Sequence, residues 1–219
     1  MGAGARLDRY RLQREGPETF HVGMTHVAAG RNSILSAHAL NLGGAVVRDE
    51  TVAVLGGEGG NCTLNGFYVG GLRQLVDSHT TIDHAKPRCT SRETYKGILA
   101  GHARAVFSGR IIVRPDAQQT DARQTNKTLL LSDDARINTT PVLEIFANDV
   151  KCTHGAAVGQ LDEDALFYLR ARGLGLGEAR SLLVHAFAGD IAGHLTVPPL
   201  REILETAIAS LVAASAARA

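Results

Sequence analysis

Cys152 and His154, in Val150-Lys-Cys-Thr-His-Gly155, are the pair whose types and spacing bear most directly on chemistry. In an extended strand, residues i and i+2 project from one face, so a thiolate and an imidazole would be presented together. Those donors suit zinc or iron, but two ligands do not close a tetrahedral centre. The missing ligands must come from elsewhere in the chain or from another protein. Val150 shares their parity, so a competing reading places all three side chains in a core. A Cys–His nucleophile pair is disfavoured, because both groups would aim in parallel and no oxyanion site is evident.

Asp77, His79, Asp83, His84 and Cys89 raise zinc a second time. Their spacing matches no closed zinc pattern, and polar side chains bonded across surface turns are the plainer expectation. Asp77, Asp83 and Glu144 are the acids a carbohydrate-cleaving solenoid would need, though nothing in their spacing sets the separation that chemistry requires. No Walker-type nucleotide loop is present, so ATP hydrolysis is not expected of this chain.

Composition narrows the function classes. A formal net charge of +1 over 219 residues gives no electrostatic reason to expect nucleic acid or a membrane surface. Three cysteines at uneven spacing form no disulfide framework, which points to a reducing, cytoplasmic setting. No apolar run approaches the ~20 residues of a spanning helix, and the first residues lack a signal-peptide core. With 24 glycines and only 5% aromatic residues, the chain predicts many tight turns around an aliphatic core and no large aromatic-lined pocket.

The elements that must position the pair change character at residue 150. From Arg9 to about Val150, short apolar runs alternate with turn residues, and Gly43-Gly44, Gly56-Gly57, Gly59-Gly60 and Gly70-Gly71 leave room for one strand per interval. Sandwich, barrel and solenoid all fit such a series. A parallel β-helix is favoured because hairpin dipeptides are scarce, Asn65-Gly66 excepted, and because Asn41, Asn61, Asn65, Asn126, Asn138 and Asn148 suit αL corners at strand ends. The stretch Pro115 to Lys127 is polar and predicts a surface loop. Beyond it, Asp162 reads as an N-cap for a helix stopped by Gly173, a second helix is predicted over about Gly177–Gly193, and a third begins near Pro199. The expected domains are a β-helix over 1–155 and a helical unit over 156–219. In the third helix Leu200, Ile203, Leu204 and Ile208 lie on one stripe, which either docks on the chain's own core or grips a partner.

Several stretches resemble the SufB/SufD family of iron–sulfur cluster assembly. They are Val150 to Gly173, Asp77-Ser-His-Thr-Thr-Ile-Asp-His-Ala-Lys-Pro-Arg-Cys89 with its continuation to Leu99, Val106-Phe-Ser-Gly-Arg-Ile-Ile-Val113 and Gln124-Thr-Asn-Lys-Thr-Leu-Leu-Leu-Ser-Asp133. The resemblance runs from about Leu7 to Ile191, and Cys-Thr-His-Gly followed by Val-Gly-Gln-Leu is SufD-like. It implies a right-handed parallel β-helix followed by a small C-terminal α-helical domain. It also implies a non-catalytic scaffold subunit that pairs with a SufB-like subunit through the β-helix end and with a SufC-like ATPase through the C-terminal helices. By that resemblance His154, with Cys152 beside it, is a candidate ligand of a transient iron–sulfur cluster at the subunit interface, and any flavin would associate with the assembled complex only. Family members are longer and begin with a helical region, so a truncated or core-only form is expected. The alternative is a homodimerising β-helix module, a homodimer with no metal role.

Overall fold

Period-two alternation dominates the chain as far as residue 159. In a computed structural model, which describes residues 1–216, it produces strands β1 (Arg6–Gln13), β2 (Phe20–Ala29), β3 (Ile34–Asn41), β4 (Val46–Leu55), β5 (Asn61–Gly70), β6 (Leu75–His84), β7 (Thr90–Leu99), β8 (Arg104–Val113), β9 (Thr120–Leu130), β10 (Arg136–Ile145) and β11 (Val150–Gly159). Odd strands form one parallel sheet in the order β1-β3-β5-β7-β9-β11, and even strands form a second in the order β10-β8-β6-β4-β2. Each strand therefore stacks on the one a full coil earlier, which is a parallel β-solenoid. Strand register joins residues of successive coils 26 to 32 positions apart. That spacing covers two strands, so it stays hidden when glycine intervals are read one strand at a time.

Alternation sorts the side chains. Leu35, Cys62, Ser91 and Ala122 occupy one inward row of the first sheet, and Ala53, Ile82 and Ile111 one of the second. These buried side chains belong to a core with Leu55, Leu64, Tyr95 and Phe107. Asn65-Gly66 is not a hairpin turn. It lies inside β5, where Gly66 pairs with Tyr95, and an added Cβ would meet that ring at 2.1 Å. Glycine there makes room for the ring, a close approach any larger residue would block.

The corners correct the asparagine expectation. Left-handed backbone occurs at Asn32, Gly59, Arg88 and Gln119, each just before a strand of the first sheet. Asn41, Asn61, Asn65, Asn126 and Asn138 lie within strands instead. The stacked corners share backbone bonds: the amides of Asn32, Gly59, Arg88 and Gln119 donate to Glu58, Pro87, Gln118 and Asp149 carbonyls at 2.6 to 3.1 Å. Repeated inter-coil bonding holds the αL geometry whichever residue occupies it, offsetting the penalty for Arg and Gln. A second correction concerns 115–127. Its latter half is strand β9, with Gln124 and Asn126 pointing inward and buried.

Three helices follow: α1 (Glu163–Ala171), α2 (Leu176–His194) and α3 (Pro198–Ala216). The Asp162 carboxylate accepts from the Asp164 and Ala165 amides at 2.9 and 3.1 Å, closing the first turn of α1. Val184, Ala188 and Ile191 of α2 and Leu204, Ile208 and Leu211 of α3 pack with Leu40, Phe67, Ile98 and Leu129 on the outer face of the first sheet. Burying each such side chain contributes roughly 1.5–3 kcal/mol. Lys96 pins the contact: its ammonium donates to the Phe187 carbonyl at 2.8 Å and to Asp190 at 2.5 Å. No helix among the described residues is long and apolar enough to cross a membrane.

Candidate functional site

Strand β11 is the last of its sheet and, among the described residues, pairs only with β9, so its other edge is open. Register places Cys152 opposite Ala122 and His154 opposite Gln124, both in inward-facing rows. The solenoid ends here, and the two residues fare differently. Cys152 is half-buried and packs with Val150 against the core, whereas His154 is exposed. Ala156 and Val158 continue the inward parity and are also exposed, Val158 to 46%. Val150 and Cys152 lean into the core, and His154 emerges where the core runs out.

Burial raises the Cys152 thiol above its usual range, and the nearby Asp121 carboxylate adds to the effect, against a backbone hydrogen bond at Ala122 that favours the thiolate. A cation arriving at this edge would reverse that balance, since metal binding removes the thiol proton. Cys62 and Cys89 are different. Both are buried, both are pushed up by desolvation, and the Cys89 thiol donates to the Gly57 carbonyl at 3.3 Å. They are packing groups.

The second candidate set does not converge. Asp77 on the outer face of the second sheet pairs with Arg48, and the His79 ring lies 2.7 Å from its other oxygen. Asp83 is held by both ends of the Arg114 guanidinium at 2.9 and 2.6 Å. His84 faces inward against the Ser91 hydroxyl at 2.9 Å, and burial depresses its imidazole to about 4. Glu144 lies 3.5 Å from Arg110. Each acid already has a cationic neighbour, and no cluster of three or more metal-capable side chains exists among the described residues. Cys152 and His154 therefore supply at most part of a metal site from within this chain.

Inward polar residues that sequence reasoning passed over lie directly behind His154. Glu93, Gln124 and His154 occupy one row on β7, β9 and β11. The Gln124 amide donates to Glu93 at 2.6 Å, and both side chains are buried to 1% exposure. Burial pushes the Glu93 carboxyl up to about 7, against the Thr80 and Gln124 hydrogen bonds that favour its charged form. The signal was available in the alternation Thr120, Ala122, Gln124, Asn126, Thr128, but its polarity suggested a loop.

Of the stripe on α3, Leu204 and Ile208 are buried against the chain's own sheet, and Leu200 and Ile203 are half-buried. Apolar surface on the helices lies elsewhere, at Phe167 and Tyr168 of α1 and Leu182 of α2. A cleft of about 780 Å³ between the helices and the solenoid corners is lined by Leu72, His102, Asp133, Arg180 and Leu211 among others.

The family described as SUF system FeS cluster assembly, SufBD core domain, matches residues 1–187. The iron–sulfur cluster assembly protein SufD of Escherichia coli is 35% identical over 202 residues, 92% of this chain and 48% of that protein. An iron–sulfur cluster assembly SufBD family protein of Synechocystis is 38% identical over 201 residues, 92% of this chain and 44% of its own length. The SufD of Bacillus subtilis is 28% identical over 191 residues. The chain spans about half the length of the relatives it matches.

Proposed function

From the premise that this chain belongs to the SufBD core family of iron–sulfur cluster assembly, we propose that it is a SufD-like, non-catalytic scaffold subunit. Its open solenoid end joins a SufB-type subunit and contributes His154, with Cys152 beside it, to a transient cluster held between the two. One observation carries the reading. At the free edge of β11 an exposed imidazole follows a half-buried thiol in the same inward parity, and Ala156 and Val158 lie uncovered beyond them. A solenoid end that leaves core-parity residues in solvent is suited to receive another chain.

The division of labour follows from what each group does without a partner. Cys152 is held protonated by its half-buried setting, so it becomes a ligand only when a cation lowers its proton affinity. His154 is exposed at the edge, where an imidazole nitrogen can reach a metal directly. The helices, fixed to the opposite face of the same sheet by Lys96 and the shared apolar cluster, present Phe167, Tyr168 and Leu182 outward. A SufC-type ATPase would contact them there.

Anaerobic co-purification with SufB-type and SufC-type partners tests the proposal. His154→Ala should lower bound iron and the visible cluster absorption roughly tenfold, equivalent to about 1.4 kcal/mol of lost ligation. Cys152→Ser should lower them less. Wild-type cluster yield in both variants would remove this chain from the ligand set.

A further inference from the structure

We infer that Gln124 is a positioning residue for His154, held in place by Glu93 behind it, so that the exposed imidazole is oriented by an internal amide ladder. The inference rests on the reading of His154 as the ligand-bearing residue and adds what sets its ring.

Three observations converge. Glu93, Gln124 and His154 are register neighbours on consecutive strands of one sheet, so their side chains stack along a single inward row. The Gln124 amide nitrogen is committed to Glu93 at 2.6 Å, which fixes the flip of the amide. Its carbonyl oxygen is buried and has no hydrogen-bond partner among the described residues. A buried acceptor without a donor is unfavourable, and the neighbour in the row beyond Gln124 is an imidazole that carries a ring N–H in either neutral tautomer. Space for the amide is set from the opposite sheet: a Cβ on Gly109 would lie 2.3 Å from the Gln124 nitrogen. Backbone and carboxyl thus hold the amide from two sides and leave its oxygen for His154.

A metal-binding imidazole is oriented by the bond its other ring nitrogen makes. A ring N–H given to Gln124 would leave the second nitrogen as the free donor at the open edge. Glu93 is the deeper support: it is one strand further into the solenoid and acts only through Gln124. The same row continues beyond Glu93 through Leu64 and Ala37 to Arg9 on β1, so two apolar residues separate the Glu93–Gln124 pair from that end, and the nearer polar neighbour is His154 on β11.

The test uses the isolated chain and needs no cluster. Ring nitrogens are followed by ¹⁵N NMR at pH 8, with exposed His26 as the internal control. In wild type, His154 should show one dominant tautomer and a ring N–H that exchanges roughly tenfold more slowly than that of His26, the protection expected of one hydrogen bond. Gln124→Met, close in size but without the acceptor, should abolish that protection and leave His26 unchanged. Gly109→Ala should do the same by displacing the amide. The double exchange Glu93→Gln with Gln124→Glu keeps an amide donor behind an oxygen acceptor and should restore it. If His154 exchanges alike in wild type and in both disrupting variants, with circular dichroism showing each folded, the Gln124 oxygen is solvated and the inference is overturned. Intact protection together with undiminished cluster yield in His154→Ala would instead sink the ligand reading and leave the positioning intact.

Discussion

The two ends of the solenoid carry the same kinds of inward row and resolve them in opposite ways. At the N-terminal end, several polar groups facing inward are paired within the chain, although one oxygen of Asp49 and the Arg11 Nε are buried without a hydrogen-bond partner among the described residues. The Arg11 guanidinium bonds Asp49 at 2.6 Å and Asn41 at 2.7 Å, His21 bonds Glu15 at 2.9 Å, and Met1 packs against the core. At the C-terminal end, His154, Ala156 and Val158 take inward parity and remain in solvent. Charge pairs run along the first coil, and none is formed by the core-parity residues of β11 among the described residues. The edges repeat the difference: β1 carries Arg6, Asp8, Arg9 and Arg11, while β11 carries only Lys151. Charges along an edge discourage strand addition, so a second chain is more readily admitted at β11.

Substitutions at the two ends should therefore separate stability from association. The largest effect is expected at the closed end. Asp49 is 2% exposed, and burial raises its carboxyl even beside Arg11. Arg11→Ala would leave that group without its partner and should cost about 3–5 kcal/mol in urea unfolding, the penalty for breaking a buried pair. A loss below about 1 kcal/mol would mean that the N-terminal end is not sealed by this pair.

The interior between the ends gives the next effect, through pH. Glu93 titrates near 7 when folded against 4.5 when unfolded, so the folded state keeps a proton that the unfolded chain has released. Its contribution falls as pH rises from about 4.5 to 7, by on the order of 3 kcal/mol. His84, depressed to about 4 from 6.5, has the opposite sign: stability is lost as pH falls from 6.5 towards 4, by a similar amount. The two slopes offset one another between 4.5 and 6.5. Glu93→Gln should uncover a stability that rises with pH across that window, and His84→Gln one that falls. Flat profiles in both variants would place water at these groups and make the interior as open as the C-terminal edge.

The smallest stability effect is expected at that edge. Val158→Lys should shift unfolding by less than about 0.5 kcal/mol, as exposed substitutions do. The same change should abolish capture of a SufB-type subunit in a pull-down. A variant that is badly destabilised would show that Val158 is part of the chain's own core, and the contrast between the ends would fail.

Much of the architecture was legible because alternation and capping are local. The first two helices begin and end close to the predicted positions and the third begins close to its own, Asp162 caps the first of them, and stacked parallel strands follow from runs too short and too closely spaced to hold helices between them. The corners were misplaced because αL geometry there is stabilised by bonds between coils about thirty residues apart, which allow Arg88 and Gln119 where Asn or Gly was expected. The stretch before Lys127 was misjudged for a related reason. Polar residues were taken to need solvent, but Gln124 finds an acceptor in Glu93 on the preceding coil.

The site divides along the same line. The sequence by itself determined that Cys152 and His154 share a strand face and cannot complete a metal centre, because spacing along one strand fixes parity and ligand count. It also determined the family, through runs of residues long enough to be specific. Only the tertiary structure decided that the thiol is half-buried and the imidazole exposed, that Glu93 and Gln124 stand behind it, and that Leu204 and Ile208 are spent on the chain's own sheet. Those outcomes depend on which coil lies next to which and on where the stack ends, and stacking joins residues that no local pattern connects.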